Sequence, residues 1–168
     1  MNGKQKGSSF ERKICKALSL WITDGAREDC FWRSAMSGGR ATVAGRKGTD
    51  LRRQAGDITA TSPEGHKLTD HFYIECKHYR SLDYDLFLFG KGNLFKFWKV
   101  ALREAQRYNK TPLLIVKQNR VQTMVLSELS CFLLGLAGVS IIRDQTEIVL
   151  LPFDKLVAFS FEKLYSQL

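Results

Sequence analysis

Residues 72–77, Phe-Tyr-Ile-Glu-Cys-Lys, constrain this chain more than any other stretch of it. The run is too apolar for a surface loop, and aromatic and β-branched residues favour an extended strand. Period two then puts Tyr73, Glu75 and Lys77 on one face and Phe72, Ile74 and Cys76 on the other. A strand that buries one face and sets an acid beside a base on the other is unusual, because charge near a core is costly unless paired or metal-bound. A second acid, Asp57, lies in Gly56–Thr61, which also reads as a strand. Ser62-Pro63-Glu64-Gly65 reads as a turn, and Leu68–Lys77 as the returning strand. The expectation is a hairpin that brings Asp57 to the face of Glu75 and Lys77.

Charge says what such a site would meet. The chain of 168 residues carries 26 Lys and Arg against 17 Asp and Glu, a formal net charge of +9. That balance favours a polyanionic partner, nucleic acid ahead of an anionic membrane surface. Of the 26 basic residues, 22 fall in residues 1–119, and only Arg120, Arg143, Lys155 and Lys163 follow, beside five acids. The basic face therefore belongs to the part that carries the acidic motif. No apolar run approaches the ~20 residues of a membrane span, and the polar Met1–Ser9 does not read as a signal peptide. Cys15, Cys30, Cys76 and Cys131 show neither C-x-x-C nor Cys/His ligand spacing, which argues against zinc and a disulfide framework. Buried free thiols in a reducing cytosol are the expectation. The length fits one domain, with a core over about residues 8–126 and C-terminal strands and a helix over 127–168.

The remaining segments read as follows. Residues 1–7 form a loose basic arm, and Ser8 or Ser9 caps a helix running to about Asp24, with Phe10, Ile14, Ala17, Leu18 and Trp21 on one stripe and Glu11 beside it. Cys30–Arg33 is a short strand. Ser34–Ala55 is glycine-rich and carries Arg40, Arg46, Lys47, Arg52 and Arg53 against Asp50 alone. It cannot build core: it is a disordered loop or one that faces phosphates, and its place directly before Asp57 favours the second. Asn93 caps a helix with the stripe Leu94, Phe97, Trp98, Ala101, Leu102, Ala105 and Tyr108, ended by Thr111-Pro112. Leu113–Lys117 and Gln122–Leu126 form a hairpin across Asn119-Arg120, Ser127–Leu136 a short helix, and Val139–Ile142 and Glu147–Leu151 two strands. Pro152 opens a last amphipathic helix with Phe153, Leu156, Val157, Phe161 and Leu164 apolar. This order predicts an α/β fold, a mixed central sheet flanked by helices.

Two strand carboxylates close together suit Mg²⁺ or Mn²⁺, hard cations that take oxygen ligands and share them with substrate phosphate. Such a metal polarises a phosphate and acidifies bound water, and Lys77 stands where it can orient that water or offset charge in the transition state. The competing reading is a plain hairpin with an exposed Asp and a cross-face Glu/Lys pair. His78 reads equally as a phosphate contact or as an ordinary polar strand end.

The set Glu11, Asp57 and Glu75-Cys76-Lys77 resembles the PD-(D/E)xK nuclease superfamily, the restriction-endonuclease-like fold. Lys6-Gly7-Ser8-Ser9-Phe10-Glu11-Arg12 and the loop Arg33–Gly39 resemble archaeal-type Holliday junction resolvases, over roughly residues 4–118. Gly56 stands where that family usually has proline. The resemblance implies a four- to five-stranded mixed sheet and Mg²⁺-dependent phosphodiester hydrolysis of DNA. Asp57, Glu75 and the Cys76 backbone carbonyl would hold the metal, Lys77 would position water, and Glu11 would assist from its helix. DNA contacts would come from Lys4, Lys6, Arg12, Arg33, Ser37, Arg40, Arg46, Lys47, Arg52, Arg53 and His78. It implies a homodimer acting on branched duplex in a bacterial or archaeal cytoplasm, encoded by a phage or mobile element. The alternatives are another nuclease on the same core, of repair or restriction type, and a non-catalytic nucleic-acid-binding module.

Overall fold

The computed structural model describes residues 3–34, 55–128, 138–143 and 146–167. Its order is α1 (Gly3–Ile22), β1 (Phe31–Arg33), β2 (Ile58–Ala60), α2 (Pro63–Thr69), β3 (Phe72–Tyr79), α3 (Tyr84–Leu88), α4 (Gly92–Arg107), β4 (Thr111–Gln118), β5 (Thr123–Glu128), β6 (Val139–Arg143), β7 (Thr146–Pro152), α5 (Phe153–Ala158) and α6 (Phe161–Tyr165). Five strands form one mixed sheet in the order β3-β4-β5-β7-β6, and β1 and β2 pair separately as an antiparallel ribbon. Among the described strands β3 and β4 alone are parallel neighbours, and Gly56 makes one further parallel bridge, to Ile74. The expected α/β architecture with a mixed sheet between helices is present.

Helices cover both faces of the sheet. On one face Phe72, Ile74 and Cys76 of β3, Leu113 and Ile115 of β4, and Leu151 of β7 pack with Phe10, Ile14, Leu18 and Trp21 of α1. The last two helices complete this layer through Phe153, Leu156, Phe161 and Leu164. On the other face Leu114, Val116, Leu126 and Ile148 meet Leu94, Trp98 and Ala101 of α4. Parallel strands need a crossover of a dozen residues or more, which is what α3 and α4 supply. The strand β4 is apolar from Pro112 to Val116 with no alternation, as expected of a strand covered on both faces.

Several expectations are corrected. The arm before Ser8 is helical from Gly3, because Lys and Gln extend a helix well and Phe10 anchors it. The hairpin of Asp57 with Glu75 does not form. Pro63–Thr69 is a helix with Pro at its first turn, β2 pairs with β1, and β3 pairs with β4. Asn93 does not cap α4. It exchanges two hydrogen bonds with Asp83, whose Oδ2 accepts from Asn93 N at 2.9 Å while Asn93 Oδ1 accepts from Asp83 N at 3.0 Å. Thr111-Pro112 opens a strand, the helix having ended at Arg107. Ser127 and Glu128 still belong to β5, and 129–137 lie outside the described residues, as does most of the segment 34–55. The final helix is two, broken at Phe159-Ser160, where the Ser160 side chain caps the second. Residues 123–128, 139–143 and 146–152 complete the sheet.

Candidate active site

Three separate hydrogen bonds fix Asp57. Its N–H donates to Ile74 O at 2.8 Å, its carbonyl accepts from Ser34 N at 2.8 Å, and its Oδ2 accepts from Cys76 N at 2.9 Å. Asp57 thus joins the ribbon to the open edge of β3 through backbone and side chain together. The approach depends on Gly56, at φ +94°, where a Cβ would lie 2.5 Å from Ile74 O. Glycine alone reaches this conformation without penalty, and here nothing larger fits. In an extended strand the N–H and C=O of one residue point the same way. The Cys76 carbonyl therefore faces the same edge as its N–H, beside Asp57.

From β3 come the other two groups. Glu75 and Lys77 share a face, as period two requires, and Lys77 Nζ donates to Glu75 Oε1 while lying 4.0 Å from Asp57 Oδ2. One ammonium therefore reaches both carboxylates. Tyr73 OH donates to the second oxygen of Glu75 at 3.2 Å, and its ring stacks at 6.3 Å on Tyr108, the residue that follows α4. Tyr73 was missed as part of the site, although its same-face spacing from Glu75 was legible. Burial pushes the Asp57 carboxyl up to about 7, helped by the negative charge of Glu75 and opposed by Lys77 and the Cys76 N–H. Burial alone would lower the Lys77 ammonium, but the attraction of Glu75 and Asp57 outweighs it and the net shift is upward. The site is a buried, incompletely neutralised anionic pair.

Glu11 lies near the pair but is engaged elsewhere: its Oε2 accepts from Arg33 Nε, with both side chains mostly buried. Its charge still contributes to the rise at Asp57. Arg33, expected to touch DNA, is thereby tied to a carboxylate of the site. His78 lies on the opposite face of β3, against the Phe10 ring at 5.6 Å and 3.1 Å from Asn119 Oδ1. Lys6 is half-buried and Arg12 exposed, both on α1. Lys4 is on α1 too, its side chain outside the description, and Ser37, Arg40, Arg46, Lys47, Arg52 and Arg53 lie outside the described residues.

Among the described residues no three His, Cys, Asp or Glu side chains gather into a ready-made metal cluster. The donor set at Asp57 and Glu75 nevertheless fits a hard divalent cation: two carboxylates and a strand carbonyl, all oxygen, with an excess negative charge to neutralise. No described helix is long and apolar enough to cross a membrane.

A mixed sheet between helical layers, with Asp and Glu-x-Lys meeting at the edge of a strand, defines a PD-(D/E)xK superfamily nuclease. The model of the family described as "Phage putative PDDEXK endonuclease" matches residues 2–165, and the chain belongs to that family. No match was found among curated proteins or among solved structures.

Proposed function

We propose that the chain is a single-domain, metal-dependent DNA endonuclease whose substrate is a four-way junction. The observation that carries the catalytic part is the convergence of Asp57, Glu75 and Lys77 at one strand edge. Asp57, Glu75 and the Cys76 carbonyl would hold Mg²⁺, with Mn²⁺ able to replace it. The ion would supply Lewis-acid polarisation of the scissile phosphate and a more acidic bound water. Lys77 would orient that water and offset charge on the phosphate, its ammonium being already held at the carboxylates. Glu11 assists through its charge, and Arg33 holds it in place. The junction, the homodimer and the cytoplasmic setting rest on the resemblance to junction resolvases. A two-fold dimer suits a two-fold substrate. Three buried free thiols, Cys15, Cys30 and Cys76, suit a reducing compartment.

The test is cleavage with and without Mg²⁺ of a four-way junction, a flap, a linear duplex and a single strand, with Glu75→Ala alongside. Paired cuts in the junction alone, absent in the variant, are expected. Equal cutting of linear duplex would keep the nuclease and discard the junction. Tight binding without any cut would make the chain a binding module.

A further inference from the structure

A cavity of about 510 Å³ opens on the face of β3 opposite Glu75 and Lys77. It lies at the carboxyl ends of the parallel strands β3 and β4, where open α/β sheets commonly take ligands. Its floor is apolar: Phe10, Ile14 and Phe153 are all buried. Lys6, Lys13 and Lys117, whose Nζ also donates to Val121 O, line its basic side, and among the described residues no acid lines it. The His78 ring, tilted on Phe10, adds a second aromatic wall. The recess is half open to solvent, and its volume falls within the roughly 300–1,000 Å³ of small-ligand sites.

Apolar walls with ammonium groups and no carboxylate match one chemistry, a flat base joined to a phosphate. Bases stack on aromatic side chains whatever their sequence, and lysines take the backbone charge. A base stacked inside a duplex has both faces covered by its neighbours, so only an unpaired one can lie on these rings. We infer that this cavity is a nucleotide subsite that receives one unpaired nucleotide of the bound DNA, its base on Phe10, Phe153 and His78 and its phosphate at Lys6, Lys13 and Lys117. His78 directly follows Lys77, so the subsite and the carboxylates lie on opposite faces of one strand. The inference rests on the DNA nuclease reading and refines it: the enzyme would select DNA by an unstacked nucleotide at the branch.

The experiment measures binding by anisotropy in EDTA, so that nothing is cut. The probes are a perfect duplex, the same duplex with one extra unpaired adenosine nucleotide, and the same bulge carrying an abasic residue. Wild type should bind the adenine bulge about tenfold more tightly than the abasic one, the size of a single stacked base. Thr123→Trp, from β5, and Ala17→Leu, from α1, each fill the cavity and should bring that ratio to about one. Melting curves establish which variant is folded, and the folded one decides. A wild-type ratio of one, or a ratio unmoved in the folded variant, would overturn the subsite. Cleavage in Mg²⁺, measured in parallel, separates the two readings. Normal cutting with a ratio of one removes the subsite alone, and a persistent ratio without cutting removes the nuclease alone.

Discussion

At the scale of single residues, the site is a problem in charge. Asp57 is raised from its ordinary 3.8 to about 7 by burial and by Glu75, so the folded protein holds its proton more tightly than the unfolded chain does. That stabilisation is complete below about pH 4 and is lost as pH rises through 7. Metal-free protein should therefore melt higher at pH 5 than at pH 8. Asp57→Asn keeps an acceptor for the Cys76 N–H, and should recover on the order of 2 kcal/mol at pH 8 while abolishing cleavage. The difference between the two proteins' melting curves across pH is the measurement, and identical curves would deny the buried charge. Because a metal needs the carboxylate ionised, Mg²⁺ should raise the melting temperature at pH 8 and scarcely at pH 5. Lys77→Ala should lower the cleavage rate by about a hundredfold or more and leave DNA affinity largely intact. Lost affinity would move Lys77 from the chemistry to binding.

At the scale of elements, what matters is how a three-residue ribbon places an acid on a sheet edge. Gly25 and Gly56 both have positive φ, but a Cβ at Gly25 meets nothing within 4 Å while one at Gly56 strikes Ile74 O. Gly25→Ala should cost about 1 kcal/mol, and Gly56→Ala about 2 kcal/mol more, with cleavage lost. Chemical denaturation of the pair isolates the contact from the backbone strain, and equal costs would show that the edge yields. Much of this scale was legible. The alternation of Tyr73 to Lys77, the stripe of α1, and the β4–β5 hairpin all follow from local periodicity. The partner of β3 was not, because two short extended runs joined by a turn-like Ser-Pro-Glu-Gly look the same whether they pair with each other or elsewhere. The helix Pro63–Thr69 carries Leu68 and Thr69 inward and turns the chain away, which sends β2 to β1. Ion pairs such as Glu11–Arg33 join residues 22 apart in sequence and leave no periodic trace.

At the scale of the whole molecule, the last third of the chain is as much part of the core as the first. Val149, Leu151, Phe153, Leu156, Phe161 and Leu164 share one cluster with α1 and β3. A fragment of residues 1–128 removes them and bares β5, so it should show no cooperative unfolding by circular dichroism. A sharp transition would make residues 8–126 self-sufficient. The helix that bears Glu11 is gripped from the far end: Trp21 Nε1 donates to Phe159 O at 2.7 Å, and its ring sits edge-on to Phe161 at 5.2 Å. Read in the order of synthesis, this grip has a consequence in time. Asp57, Glu75 and Lys77 leave the ribosome some eighty to a hundred residues before Phe159 and Phe161, yet until then α1 lacks its last support. As the endonuclease we propose, a half-made chain should therefore cut nothing, and the capacity to cut should arrive late in the chain's emergence.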